Sequence, residues 1–298
     1  MKVVISGGTG FVGQELTKLL ISEGHKVVIL TRNESKYIND IQYVQWLKHG
    51  SQPENELHDV DAFVNLAGVS LNEGRWTKQQ KKAIYTSRMD ATLEIVRIME
   101  NLMPTPKVLV NASAVGIYPA STDTSYTENN SDFATDFLGQ TVKDWERHAL
   151  RAESLGVRVT LARLGVILGK NGGALPMMVL PYKFYVGGTV GSGKQWLSWV
   201  HVEDVARAFY FALLTEAIIG PFNVTAPDPQ PMKTFGETIA AVLQRPHWMP
   251  VPKFAMQLAL GEQSILVLEG QHVLPTVLES NQFIFKYPHL KNALENLL

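Results

Sequence analysis

The sequence predicts a doubly wound α/β fold: a mainly parallel sheet with helices on both faces and a small C-terminal lobe packed beside it. Three observations carry this. Short apolar runs alternate with helix-period segments through the first half of the chain. A Gly-rich turn joins the first of these runs directly to the first helical pattern. The size and composition are globular, with 298 residues of which 45% are apolar and 18% charged, enough for one large domain or one domain with an annex.

The elements follow in order. Lys2–Ser6 reads as an apolar strand, and Phe11–Glu23 as a helix with Phe11, Val12, Leu16, Leu19 and Leu20 on one side. Strands are expected at Lys26–Thr31, Gln42–Trp46 and Asp61–Leu66. Thr77–Glu100 is a long helix stopped by Pro104 and Pro106. Val108–Ala112 is a strand, Phe137–Leu155 a helix closed by Gly156, and Val157–Arg163 another strand. Residues 169–197 are Gly-rich and aperiodic. Val202–Leu214 is helical and Pro221–Thr225 a further strand. A Pro-rich break at 226–231 precedes helical patterns at Thr234–Gln244 and Lys253–Leu260, and 270–298 gives no clear period. The expected division is 1–169 with 198–226 for the main domain, and 170–197 with 227–298 for the smaller lobe.

Charge and composition exclude several classes. The 27 Lys+Arg and 28 Asp+Glu leave a net charge of −1, without the basic excess of a nucleic-acid binder. Cysteine is absent, which removes disulfides, thiolate nucleophiles and Cys-held metals and suits a cytoplasmic location. The first apolar run is too short for a signal peptide, and no run of about 20 apolar residues could span a membrane. The eight His are scattered without metal-ligand spacing, and no Gly-x-Ser-x-Gly elbow is present.

The most informative segment is Gly7-Gly8-Thr9-Gly10-Phe11-Val12-Gly13, set between a strand and a helix. Gly7 permits the tight turn, Gly10 lets the backbone approach a pyrophosphate, and Gly13 lets helix and strand pack closely. Amides at the helix start, with the helix dipole, favour an anion there. The segment is expected to be the phosphate-binding turn of a Rossmann domain, unless it is an ordinary strand–helix turn with incidental glycines. The second strand ends at Thr31-Arg32, where a carboxylate would accept bonds from a ribose and repel a 2′-phosphate. Arg32 instead favours NADP(H) over NAD(H), with Lys36 adding charge, unless Arg32 is simply a solvated residue at a strand end.

The G-x-x-G-x-x-G spacing resembles the short-chain dehydrogenase/reductase superfamily, in particular its extended, NAD-dependent epimerase/dehydratase-like branch. The resemblance continues at Asn65-Leu66-Ala67-Gly68, similar to a motif beside the adenosine half of the cofactor. It continues again at Trp199–Ala206 and at Gly220–Val224. It implies about seven strands, a substrate lobe built from 170–197 and 227–298, and cofactor contacts from Gly7, Thr9, Gly10, Phe11, Val12, Gly13, Arg32, Leu66, Ala67 and Gly68. Extended members often dimerise through a four-helix contact, so monomer or homodimer is expected, with a small-molecule substrate.

The catalytic positions depart from that family. Its members use a Tyr acid/base, a Lys four residues later, a Ser or Thr that polarises the substrate carbonyl, and an Asn. Counting along the corresponding segments puts Leu138 at the Tyr, Val142 at the Lys, Ala114 at the Ser and Arg88 at the Asn. The pattern is similar to an uncharacterised epimerase-family subgroup with an extra C-terminal domain. Ser87-Arg88, Phe137-Leu138…Trp145-Glu146, Gly172–Leu175, Gly191–Trp196 and Val273-Leu274-Pro275 carry that likeness.

Three residues could substitute. Arg88 would bind an anionic substrate or a cofactor phosphate, or form a surface salt bridge. Tyr118 would act as an acid in the cleft, or pack as an aromatic on the cofactor loop. Ser113 would bond substrate or ribose, or cap a turn. Lys194 and Trp196 could meet a charged or planar ligand, and His201 fits a structural role in the Trp199–Asp204 turn. Two functions follow: an NADP(H)-dependent oxidoreductase or epimerase-like enzyme of unknown substrate, or a non-catalytic NADP(H)-binding redox sensor or assembly partner.

Overall fold

A computed structural model describes residues 1–298. β1 (Lys2–Ser6) runs into α1 (Phe11–Ser22), followed by β2 (Lys26–Thr31), β3 (Lys36–Ile38), β4 (Ile41–Gln45) and β5 (Ala62–Asn65). The long α2 (Lys78–Asn101) leads to β6 (Val108–Ala114), β7 (Ser125–Tyr126), α3 (Phe137–Ala149) and β8 (Arg158–Leu164). Next come β9 (Val166–Gly169), β10 (Gly172–Gly173), α4 (Leu175–Lys183), β11 (Trp196–Leu197), β12 (Trp199–His201), α5 (Val202–Leu214) and β13 (Gly220–Val224). The chain continues through β14 (Gln230–Pro231), α6 (Met232–Leu243), α7 (Lys253–Leu260), α8 (Ile265–Leu268), β15 (His272–Val273), α9 (Thr276–Ser280) and α10 (Leu290–Leu297). No helix is long and apolar enough to cross a membrane.

The main sheet has the order β13-β8-β6-β5-β1-β2-β4-β3. Every pairing is parallel except β3 with β4, which closes one edge antiparallel. That makes eight strands, one more than the resemblance implied. The extra strand, β3, is three exposed residues, too short to leave a periodic signal. Val3, Val4 and Ile5 are all fully buried because helices cover both faces, which is why β1 reads as a continuous apolar run. Leu16 and Leu20 of α1 pack with Val205 and Phe209 of α5 on one face, each leucine contributing about 2 kcal/mol. Ala91, Ile95 and Ile98 of α2 cover Val4, Phe63 and Leu109 on the other.

The chain builds outward from β1 through β2 to β4, then returns to β5 on the opposite side of β1. Strand order therefore reverses between β1 and β5, and their carboxyl ends border a crevice of the kind that receives ligands in such sheets. Thr77 caps α2 by accepting from the Gln80 amide at 3.1 Å, and Asp136 caps α3 by accepting from Gly139 at 2.8 Å. The helix expected over Phe137–Leu155 is α3 followed by 3₁₀ turns at Leu150–Leu155, closed by Gly156 at φ +77°.

A second core lies apart from the two faces of the sheet. Leu175 and Val179 of α4, Phe235 and Ile239 of α6, and Leu290 and Leu294 of α10 meet Leu168 and Trp199 there. Sequence pattern missed α4 because Pro176 opens it and Pro181 sits inside it. The segment after α8 is stitched back onto the sheet. Asn223 Nδ2 donates to the Leu274 carbonyl at 2.9 Å, and Ser198 Oγ donates to the Gln271 carbonyl at 2.7 Å while accepting from the Val273 amide at 2.9 Å.

Candidate functional site

The Gly-rich turn emerges from β1 at the crevice. Gly7 has φ +71°, and a Cβ on it would stand 2.7 Å from the Leu66 carbonyl oxygen. A Cβ on Gly13 would fall 2.2 Å from the Gly7 oxygen, so α1 can approach β1 only as glycine permits. The Gly10 amide donates to Gly7 O at 2.9 Å and Gln14 N to Gly10 O at 2.9 Å. Between them, the amides of Phe11, Val12 and Gly13 donate to no group of the chain, and the first turn carries neither a capping side chain nor an acid. These free donors lie at the positive end of α1, where they could hold a phosphate. The Phe11 ring lies against Gly169 and Gly172, where any Cβ would collide with it, and close to Gly173, so this turn also touches β9 and β10.

Arg32 follows β2, is exposed and has no ion-pair partner. Lys36 lies nearby in sequence on the edge strand, its ammonium 5.6 Å from the centre of the Tyr43 ring. Across the crevice, Leu66 N continues the β1 pairing by donating to Ser6 O at 3.1 Å, and Ala67 N donates to Asn65 Oδ1 at 3.2 Å. Asn65 is buried and fixed by Ser6, Thr92 and Asn111, so the Leu66–Gly68 exit is held from beneath.

Tyr118 does not face the crevice. It has no exposed surface; its ring stacks on Tyr126 with centroids 5.1 Å apart. Its hydroxyl donates to Asn223 Oδ1 at 2.9 Å and accepts from Arg163 Nη1 at 2.9 Å. Burial pushes this phenol up from its ordinary value, partly opposed by Arg163. An acid/base phenol needs the opposite shift, toward neutrality. Ser113 is likewise buried and donates to Glu146 Oε1 at 2.5 Å. The expectation of Tyr118 as an acid in the cleft, with Ser113 bonding a ligand, gives way to an internal network.

Arg163 sits at the centre of that network. Its Nε and Nη2 grip Glu146 at 2.8 and 2.9 Å. Burial opposes the Arg163 charge, yet the Glu146 bonds and charge outweigh it and hold the guanidinium above its usual range. Glu128 Oε1 extends the network by accepting from the Asn223 and Val277 amides. Burial raises the Glu128 carboxyl, and its second oxygen has no partner. Sequence reading missed Arg163 and Glu128. The one available signal was an arginine inside the otherwise apolar run Leu161–Leu164.

The remaining departures have clear surroundings. Val142, at the expected Lys position, packs with Val115, Ile117, Tyr118 and Val273. Leu138 lies beside Gly116, where a Cβ would be 3.7 Å from its own. Arg88 forms no salt bridge, against one of its two expected roles. Its Nη1 donates to the Val69 and Ile84 carbonyls at 3.1 and 2.8 Å, and its guanidinium lies 5.2 Å from the Trp145 ring centre. Of the Gly-rich stretch, Gln195 is tied to Val190 and Val267, and Trp196 Nε1 donates to the Thr122 carbonyl at 2.9 Å. His201 caps α5 by accepting from the Glu203 amide at 3.1 Å.

Comparisons with known proteins fit this arrangement. A family described as "NAD dependent epimerase/dehydratase family" matches residues 3–225, and a domain of unknown function, DUF1731, matches residues 251–297. The chain is 48% identical over 300 residues to epimerase family protein YfhF of Bacillus subtilis (strain 168), covering 100% of this chain and 98% of the relative. The crystal structure of human epimerase family protein SDR39U1 (isoform 2) with NADPH matches with a TM-score of 0.90 at 31% identity, covering 100% of this chain and 99% of that one. A nucleoside-diphosphate sugar epimerase from Corynebacterium glutamicum matches with a TM-score of 0.81 at 28% identity, over 100% of this chain and 58% of that chain.

Proposed function

The chain belongs to the NAD dependent epimerase/dehydratase family, and from that premise we propose that it binds NADP(H) in preference to NAD(H) and acts as an atypical oxidoreductase on a small molecule. The observation that carries this reading is the set of unclaimed amides at Phe11, Val12 and Gly13, with Arg32 unpaired after β2. The amides would hold the pyrophosphate, and Arg32 would pair with the 2′-phosphate through its planar fork. Backbone at Leu66, Ala67 and Gly68 would line the opposite wall. The NADPH in the human relative supports the same preference. Bound there, the cofactor would supply hydride chemistry, with the α1 amides and Arg32 fixing its phosphates. Proton transfer falls to a bound water or to the substrate, since Tyr118 is enclosed. A cysteine-free chain suits the reducing cytoplasm, and we assign it there.

Calorimetric titration with NADPH and NADH tests the cofactor assignment, with tighter NADPH expected. Absence of heat and of thermal protection with either at millimolar concentration removes it. Single-turnover oxidation of bound NADPH across carbonyl and sugar-nucleotide compounds tests turnover.

The buried Tyr118 and the apolar Leu138 and Val142 favour a second reading, a dinucleotide-responsive sensor or assembly partner. For that role, binding to a partner protein must change with the NADPH/NADP⁺ ratio while single-turnover oxidation stays silent.

A further inference from the structure

Arg88 and Arg163 each present the same side-on fork, Nε with Nη2. In Arg163 that fork is filled by Glu146. In Arg88 it is empty: only Nη1 has partners, both of them backbone carbonyls. Nε and Nη2 of Arg88 have no partner within the chain, and neither is fully sealed from solvent. The rest of the side chain is held firmly. Trp145 lies under the guanidinium, and the Trp145 Nε1 proton goes to Thr92 Oγ1 at 3.0 Å, which in turn donates to the Arg88 carbonyl at 2.8 Å. Gly68 leaves the necessary room, since a Cβ there would stand 3.1 Å from Arg88 Cζ.

The position adjoins the nucleotide turn. Gly7 abuts Leu66, and Gly68, two residues on, abuts Arg88, so the guanidinium stands at the wall of the β1/β5 crevice. Nearby acids do not compensate it. Asp144 is engaged by Arg147, Tyr85 and Gln140. Burial lowers Arg88 to about 10, with no carboxylate acting to raise it. A rigid, uncompensated guanidinium with a free bidentate edge pairs with a carboxylate or a phosphate; the α1 amides and Arg32 are already assigned to the cofactor phosphates, which leaves a carboxylate for Arg88.

We propose that Arg88 anchors a carboxylate of the small-molecule substrate, so that this protein acts on a carboxylate-bearing compound. This rests on the crevice being the NADP(H) site described above.

The test is calorimetric titration of malonate, and of inorganic phosphate, into the full chain with and without saturating NADPH at fixed ionic strength. Malonate is expected to bind the NADPH-loaded protein more tightly than phosphate does. Arg88→Gln should weaken malonate at least ~10-fold and leave the NADPH affinity unchanged. Arg88→Lys, which keeps charge and stem but loses the fork, should lie between, and it serves if the Gln variant does not fold. Equal malonate binding by wild type and both variants overturns the proposal. So does malonate binding that vanishes on NADPH loading while Arg88→Gln loses NADPH affinity, which would give Arg88 to a cofactor phosphate. If NADPH fails to bind but malonate binds through Arg88, the cofactor reading falls and the carboxylate anchor stands.

Discussion

The two halves of the sheet's carboxyl edge handle polarity in opposite ways. Beyond β6, β8 and β13, most of the charged and hydroxyl groups pair with one another: Ser113, Glu146, Arg163, Tyr118 and Asn223 form a continuous chain of bonds, with one Glu128 oxygen left over. Beyond β1, β2 and β5, donors are left over: the α1 amides, Arg32 and the free edge of Arg88. None of these donors is bonded within the fold, so each is available to an anionic ligand without first breaking an internal bond. The contrast distinguishes groups bound within the fold from groups left available to a ligand better than residue type does, since both halves contain arginine.

Substitutions can break each half separately. The largest effect is expected for Arg163→Leu, which strands the Glu146 charge. Urea unfolding should show a loss of roughly 3–5 kcal/mol, and adding Glu146→Leu should recover much of it. Equal stability of the single and double variants would mean that the pair is not a unit. Gly13→Ala comes next. Its Cβ would meet the Gly7 carbonyl oxygen at 2.2 Å, and NADPH affinity measured by calorimetry should fall by roughly 100-fold or more.

Arg32→Asp should weaken NADPH by roughly 1.5–3 kcal/mol while leaving NADH nearly unchanged. An equal loss for both would assign Arg32 to neither phosphate nor selectivity. Tyr118→Phe removes a hydroxyl shared by Arg163 and Asn223, so thermal unfolding should register a loss of about 1–2 kcal/mol with cofactor affinity intact. A selective loss of NADPH turnover in that variant, at unchanged stability, would return Tyr118 to the reaction.

The smallest effect is a pH slope. Burial holds His201 below its ordinary 6.5, while its ring accepts the Glu203 amide at the start of α5. The unfolded ring takes up a proton more readily than the folded one. Stability from this group is therefore present above about pH 6.5 and is lost as pH falls through the lower folded value. The slope should be shallow, and His201→Asn, which keeps a capping oxygen, should flatten it in an unfolding-versus-pH series.

Local signals made much of this molecule legible. β1, β2 and α5 fall at the bounds their apolar periods predict. The nucleotide turn is readable because strand, glycines and helix are contiguous. Tyr118 was not readable in the same way. Its partners Arg163 and Asn223 lie 45 and 105 positions away, and only the folded sheet brings β8 and β13 beside it. Arg88 was located by counting along the long helix, but its lack of a counter-ion is a property of three-dimensional neighbours that no local pattern encodes.

The stitching of residues 271–277 has a consequence for biogenesis. A nascent chain halted before residue 271 has already made all eight strands of the main sheet, yet it lacks the carbonyl of Leu274 and the amides of Val273 and Val277 that Asn223, Ser198 and Glu128 engage. Until that ribbon is translated, the polar cluster stands open on one flank. Maturation of the sheet thus waits on a strap made well after its strands, and arrested chains of that length should be markedly more sensitive to protease there than the released protein.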